Sequence, residues 1–314
     1  MNAMRRPFGS TGIEVSAIGL GAWQLGRSPE WPSGPDPDEA VRIVHAALDA
    51  GVTFIDTAPG YADGQSELNV GRALAGVHRD MVVLCTKVGH TPEGGTDWTP
   101  AAIAPSIEGS ARRLGVEHID VVVLHNPPPG VIDSGEHYAV LEDLRDKGLI
   151  RAFGASVDQG AEIDAVLAAS RSTALEVRLS ALYQEPAEAL ARAYERGVGA
   201  IVKVPLESGW LSGRYDASTT FTDVRSRWSP ADVALRAELV AELTELLPSG
   251  VSLVEGALRF LLANDAVSTV IPGTRTAEHI RASVAAVAEP LPPDTVDAIT
   301  AWYDQRLGRR ALGW

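Results

Sequence analysis

Four residues of this chain, Asp56, Tyr61, Lys87 and His125, have side chains suited to moving a proton onto a carbonyl oxygen. A tyrosine hydroxyl ordinarily ionises only near pH ~10, so a close ammonium must stabilise the phenolate before tyrosine can donate at neutral pH. Lys87 is the expected ammonium. A buried lysine would shed its own charge without a compensating carboxylate, and Asp56 is expected to supply one. His125 can then hydrogen-bond a substrate oxygen, so that the four form a proton donor tuned to a carbonyl becoming an alkoxide. Singly, most have ordinary explanations: Asp56 as a turn former, Tyr61 as a packing aromatic, His125 as a donor to a backbone carbonyl ahead of Asn126-Pro127-Pro128-Pro129. Lys87 resists one, because lysine is costly to bury and only three of the 27 basic residues are lysines.

These residues act together only if the fold brings them to one place. Short apolar, β-branched runs predict eight strands: Ala17–Leu20, Phe54–Asp56, Val82–Thr86, Asp120–Leu124, Ala152–Ala155, Leu175–Arg178, Ala200–Val204 and Ser268–Ile271. Helical patterns alternate with them over Asp38–Ala50, Ser66–Leu74, Ala101–Leu114, Tyr138–Lys147, Ala161–Ala169, Pro186–Arg196, Leu253–Ala263 and Ala277–Ala288. In the first of these, Val41, Val44, His45 and Leu48 share one face. With no internal linker or repeat, the expectation is an α/β fold: one (β/α)8 TIM barrel domain over residues 1–314. Arg5–Phe8 and Ile13–Val15, flanking Gly9-Ser10-Thr11-Gly12, predict an N-terminal β-hairpin, and Asp232–Leu247 and Thr295–Leu307 predict extra helices. The tail Arg306-Leu307-Gly308-Arg309-Arg310 reads as a solvated helix end. Barrels of this kind carry their chemistry at the C-terminal ends of the strands. Asp56 with the loop to Tyr61, Lys87, His125, Ser156 and Lys203 all fall there.

Charge and composition exclude several functions. With 41 acidic against 27 basic residues the net charge is −14, a surface that repels nucleic-acid backbones and anionic membranes. Cys85 is the only cysteine, which rules out an intrachain disulfide, a CxxC redox pair and a cysteine-built zinc site, and fits a reducing, cytoplasmic setting. There is no signal-peptide apolar region, no run long enough to span a bilayer, and no HExxH or other metal-ligand spacing, so no metal is expected. Gly154-Ala155-Ser156-Val157-Asp158 lacks the closing glycine of a nucleophile elbow, and Gly19-Leu20-Gly21-Ala22-Trp23-Gln24 lacks the third glycine of a dinucleotide fingerprint.

Phe54-Ile55-Asp56-Thr57-Ala58-Pro59-Gly60-Tyr61, followed by Gly64, Ser66-Glu67 and Gly71, resembles the signature of the aldo-keto reductases. Phe8-Gly9-Ser10-Thr11-Gly12, Thr86-Lys87, Leu124-His125, Phe153-Gly154 with Ser156, Pro205-Leu206 with Gly209, and Ile271-Pro272-Gly273 continue the likeness in order along the whole chain. The resemblance implies NADPH-dependent reduction of an aldehyde or ketone, with Tyr61 as proton donor, Lys87 and Asp56 tuning it, and His125 orienting the carbonyl. It also implies cofactor contacts. Ser156 would meet the nicotinamide carboxamide, Leu206, Gly209 and Leu211 the pyrophosphate, Arg214 would close over the phosphates, and Gly273 and Arg275 would meet the adenosine end, where a guanidinium favours a 2′-phosphate. Trp23 stands where the family's pocket wall sits and is grouped with these contacts, as is Asp56.

The chain departs from the family pattern at other contacts. Val157 replaces the usual Asn, Glu176 the usual Gln, and Lys203 an aromatic; near the adenine, His279 and Ser283 replace Gln and Asn. Glu176 and Lys203, on adjacent strands, are expected to form a salt bridge beneath the nicotinamide. Gly209–Pro230 is long enough for a lid, anchored by Trp210, Tyr215, Phe221 and Trp228. Two other functions are open to the same residues: a lyase forming a Schiff base on Lys87 or Lys203, and a non-catalytic partner protein that senses NADPH. The substrate, the direction of reaction and the oligomeric state are not legible.

Overall fold

The computed structural model describes residues 4–29, 31–308 and 312, and its strands alternate with helices from the first barrel strand onward. In chain order the elements are β1 (Arg5–Pro7), β2 (Glu14–Ser16), β3 (Leu20–Gly21), α1 (Pro37–Asp49), β4 (Phe54–Asp56), α2 (Gln65–Leu74), β5 (Val83–Val88), α3 (Pro100–Leu114), β6 (Ile119–His125), α4 (Pro129–Ile132) and α5 (Gly135–Asp146). They continue as β7 (Ile150–Val157), α6 (Gly160–Ala169), β8 (Ala174–Arg178), α7 (Ala187–Glu195), β9 (Gly199–Lys203), α8 (Pro230–Glu245), α9 (Leu253–Leu262), β10 (Thr269–Val270), α10 (Ala277–Ala286) and α11 (Pro293–Arg306). Strands β3 to β10 pair in sequence order, all parallel. Parallel bridges Ile18↔Val270 and Gly21↔Gly273 join the first barrel strand to the last, with the amide of Gly19 donating to the Val270 carbonyl at 2.8 Å. The barrel is therefore closed, and α8 and α11 are the two expected extra helices. Helix α11 ends at Arg306; Arg309 and Arg310 of the expected helix end lie outside the described residues.

Successive strand residues point to opposite faces, and here that alternation separates two cores. Phe54, Val83, Cys85, Val121, Val123, Ala152, Ala174 and Ile201 point inward and pack together inside the barrel. Ile55, Leu84, Val122, Leu124, Phe153, Leu175, Val177 and Val202 point outward, beneath the helices. The hairpin β1–β2 closes the barrel's N-terminal end: Phe8, Ile13 and Val15 complete the inner core. One tight approach in the barrel wall requires glycine. A Cβ on Gly154 of β7 would lie 1.7 Å from the Ala174 carbonyl oxygen of β8.

The same parity extended two residues up each strand predicts what faces the open mouth. Asp56 follows Phe54, Lys87 follows Cys85, His125 follows Val123, Glu176 follows Ala174 and Lys203 follows Ile201. Register aligns His125 with Ser156, and Ser156 with Glu176, at one level of the barrel. Below them the interior is apolar and sealed, so the polar groups gather at the C-terminal mouth.

Candidate active site

At that mouth Lys87 is fully buried, and its ammonium donates to both carboxylate oxygens of Asp56 at 2.6 Å and to the Thr57 carbonyl at 3.2 Å. A carboxylate oxygen of Glu176 lies 3.1 Å from the same nitrogen. Burial opposes the charge on Lys87, yet Asp56 and Glu176 outweigh it and hold the lysine well above its ordinary range. Lys87 is thus a fixed cation. Asp56 is pushed up to about 7, by burial first and by the Glu176 carboxylate second, against the pull of Lys87.

Tyr61 sits above this cluster, the Lys87 ammonium 5.1 Å from its ring centroid. Its ring is edge-on to His125 at 5.6 Å and tilted against Trp23 at 6.2 Å. The expectation that the ammonium lowers the Tyr61 pKa is not met in net. Burial raises it, Asp56 and Glu176 add to the rise, and Lys87 offsets only part. Tyr61 therefore keeps its proton at neutral pH. His125 is held neutral, well below the usual histidine range, by burial and by Lys87, His90 and Lys203. Its Nδ1 is buried without a hydrogen-bond partner, and the His90 ring packs against it at 4.5 Å.

These groups open onto a cleft of about 600 Å³, within the range of small-molecule sites. Asp56, Tyr61 and His125 line it, together with Trp23, Glu176, Lys203, Leu206, Gly209, Arg214, Gly273, Arg275, His279 and Ser283. Two residues named from the sequence do not reach it: Leu211 is fully buried in the outer core, and Ser156 is buried under Lys203 and Asn126. Lys87 lies below the cleft surface, behind Asp56, Tyr61 and Glu176.

The expected Glu176–Lys203 salt bridge does not form. Lys203 is in register with Arg178, one inward position beyond Glu176, so its ammonium is carried upward to Asn126 at 2.7 Å, Ser156 at 2.8 Å and Asp158 at 2.9 Å. Glu176, at the lower level, turns to Lys87.

The cleft's far end is basic. Arg214 donates to Nε2 of His279 at 3.0 Å, and His279 is kept below its ordinary pKa by burial and by Arg214 and Arg275, so it is neutral and accepts. The guanidinium carbons of Arg225 and Arg275 each lie 5.8 Å from the Trp31 ring. The 209–230 segment is anchored as its aromatics suggested, with Trp210, Tyr215, Phe221 and Trp228 packed edge to face or tilted. Buried Glu207 pins its start by accepting from Arg178 at 2.6 Å and Ser180 at 3.0 Å. Backbone strain collects beside the site: Asn126, Val204, Glu207 and Ser208 all have positive φ, and Val204, β-branched at +55°, is the most unfavourable of them.

A long nucleotide fits this arrangement. Gln24 presents a buried, unpartnered Oε1 to the cleft, close enough to Gly273 that a Cβ there would lie 2.5 Å from it, and the guanidinium-rich end suits a phosphate. Sequence reading missed Gln24, Trp31, His90, Asp158 and Arg225. Trp31 and Arg225 carry no local signal, since they meet over the cleft from loops far apart in sequence; His90, two residues past the end of β5, was findable from its position.

Comparison with known proteins places this geometry. A family model described as "Aldo/keto reductase family" matches residues 17–304. A curated relative, the NADH-specific methylglyoxal reductase of Escherichia coli, is 29% identical, with 90% of this chain and 92% of that protein aligned. Among solved structures, the holo form of the aldo-keto reductase AKR11C1 from Bacillus halodurans superposes with a TM-score of 0.81 at 30% identity, covering 99% of this chain and 98% of the other. The glycerol dehydrogenase AKR11B4 from Gluconobacter oxydans gives 0.79 at 27% identity, covering 98% of each.

Proposed function

The chain belongs to the aldo/keto reductase family, an oxidoreductase of carbonyl compounds, and from that premise we propose that it reduces a small aldehyde or ketone with NADPH, using Tyr61 as the proton donor. The observation that carries the reading is the stack of Tyr61 over the Lys87–Asp56 pair, beside a neutral His125 at the mouth of one cleft.

Each residue's part follows from its environment. His125, being neutral, has one ring N–H to offer a carbonyl oxygen and fixes it near the Tyr61 hydroxyl. Tyr61 gives up its proton as that oxygen gains charge. Lys87 stabilises the resulting phenolate because it cannot lose its own charge between two carboxylates. Trp23 and Trp31, edge to face at 5.2 Å, wall off solvent on one side. Bound in the cleft, the nicotinamide supplies the hydride. Gln24, Gly273, Arg214, Arg275 and His279 are the residues that would hold the nucleotide, with Lys203 and Glu176 at its reactive end.

Preference for NADPH rests on Arg275 and Arg214, which together give a 2′-phosphate two guanidinium partners. The E. coli relative is named for NADH specificity, so the choice of nucleotide is this chain's own to be measured. A cytoplasmic place of action belongs to the same proposal, supported by a single, buried, unpaired cysteine. The Schiff-base alternative is disfavoured by the lysines themselves: nucleophilic attack needs a neutral amine, whereas Lys87 is locked as a cation and Lys203 is ringed by three acceptors. Fluorescence titration with NADPH and with NADH tests the proposal. Micromolar binding of NADPH and weaker binding of NADH is expected; binding of neither would overturn it.

A further inference from the structure

The buried cluster holds one carboxylate more than the proton chemistry needs. The Lys87 ammonium donates to both Asp56 oxygens and to the Thr57 carbonyl and is in hydrogen-bond contact with Tyr61, so its three N–H donors are already claimed without Glu176. The Glu176 oxygen 3.1 Å away is left with electrostatic attraction but no hydrogen bond, and it is a buried polar atom without a hydrogen-bond partner. Asp56 and Glu176 are both 2% exposed, and their oxygens approach within 4.8 Å of each other. Two carboxylates against one ammonium, nearly buried where they line the cleft, carry a net charge of −1 unless a proton joins them.

We propose that Asp56 and Glu176 share one proton over the Lys87 ammonium, making Glu176 a positioning residue whose charge state sets how readily Tyr61 gives up its proton. The inference rests on the reading of Tyr61 as donor. A solvent proton binds one of the two carboxylates, forming a single O–H bond and taking the cluster from −1 to neutral. In the neutral form the phenolate left by Tyr61 faces an ammonium balanced by one negative charge. In the −1 form it faces a second negative charge and is disfavoured.

The groups that face the pair are consistent with this. Asp56 comes from β4, Tyr61 from the loop after it, and Cys85 and Lys87 from β5. His125 on β6 is neutral, Lys203 on β9 is engaged one level higher, and Arg178 on β8 is paired with Glu207. Lys87 is therefore the one cation in contact with both carboxylates among the described residues. The shared proton is expected to leave near neutrality, since Asp56 is pushed up to about 7 with Glu176 among the causes. Reduction should then slow as pH rises past that point.

The test compares wild type with Glu176→Gln, which keeps shape and removes the charge, and with Glu176→Met as a second neutral variant. With nucleotide saturating, the single-turnover reduction rate of the wild type should fall about tenfold between pH 6 and pH 8.5, while the neutral variants change less than twofold. A second readout needs no nucleotide. Asp56, raised to about 7 in the folded state, binds more protons there than in the unfolded chain, so stability falls as pH rises from about 4 to about 7. Melting temperature should drop less over that window in the neutral variants than in wild type. Equal rate profiles and equal melting profiles would overturn the proposal. If no carbonyl is reduced at any pH, the assignment of Tyr61 fails, and the melting profiles still decide whether the two carboxylates share a proton.

Discussion

Replacing Lys87 by methionine isolates the energetic role of the buried ammonium. The substitution keeps the aliphatic length but strips three donors from Asp56 and Thr57 and removes the cation from two carboxylates within 4.8 Å of each other. Removing one partner from a buried ion pair typically destabilises by about 3–5 kcal/mol. For a chain of 314 residues the unfolding entropy at the melting temperature is of order 0.7 kcal/mol per degree, so the loss corresponds to a fall of about 4–8 °C. The sign of the pH dependence follows from Asp56, whose pKa is already raised in the fold and rises further without the ammonium. Asp56 can take a proton at pH 5 and relieve most of the repulsion, whereas at pH 8 proton uptake is itself costly. The Lys87→Met deficit should therefore be largest at pH 8 and less than half as large at pH 5, measured by differential scanning calorimetry against wild type at each pH. A deficit that is equal at both pH values, or absent, would refute the picture of a cation offsetting two buried carboxylates.

Other perturbations report on different parts of the site. Arg275→Ala should weaken NADPH binding about tenfold and leave NADH binding within twofold, as read by fluorescence titration, because a lost guanidinium–phosphate contact penalises only the 2′-phosphate. Gly154→Ala drives a methyl to 1.7 Å from the Ala174 carbonyl oxygen, so β7 and β8 must separate; a loss of about 1–3 kcal/mol in urea unfolding is expected.

The barrel and the gathering of Asp56, Tyr61, Lys87 and His125 were legible because both rest on short-range rules. Alternation of two along each strand, continued past Phe54, Cys85 and Val123, delivers Asp56, Lys87 and His125 to one mouth whatever the surrounding loops do. Glu176 and Lys203 show where such rules run out. Adjacent strands were legible, but the height of each side chain depends on register, and the pairing of Lys203 with Arg178 lifts its ammonium one inward position above Glu176. Burial sets where the side chains of Leu211 and Ser156 lie, outside the cleft lining: a loop that folds back on an aromatic cluster draws Leu211 into the outer core, and Lys203 covers Ser156. Trp31, Arg225 and Arg275 meet through loops remote in sequence, a contact that no periodicity encodes.

The central claim is that Tyr61 donates the proton in carbonyl reduction, and it is tested most directly by following NADPH oxidation over a panel of small aldehydes and ketones in wild type and Tyr61→Phe. A positioned general acid contributes about 10²–10⁴-fold, so the variant should lose at least about a hundredfold in kcat while binding NADPH as tightly as wild type. Unchanged turnover in Tyr61→Phe, or tight NADPH binding by wild type with no turnover of any carbonyl, would contradict it, the latter result favouring a nucleotide-sensing role for the barrel.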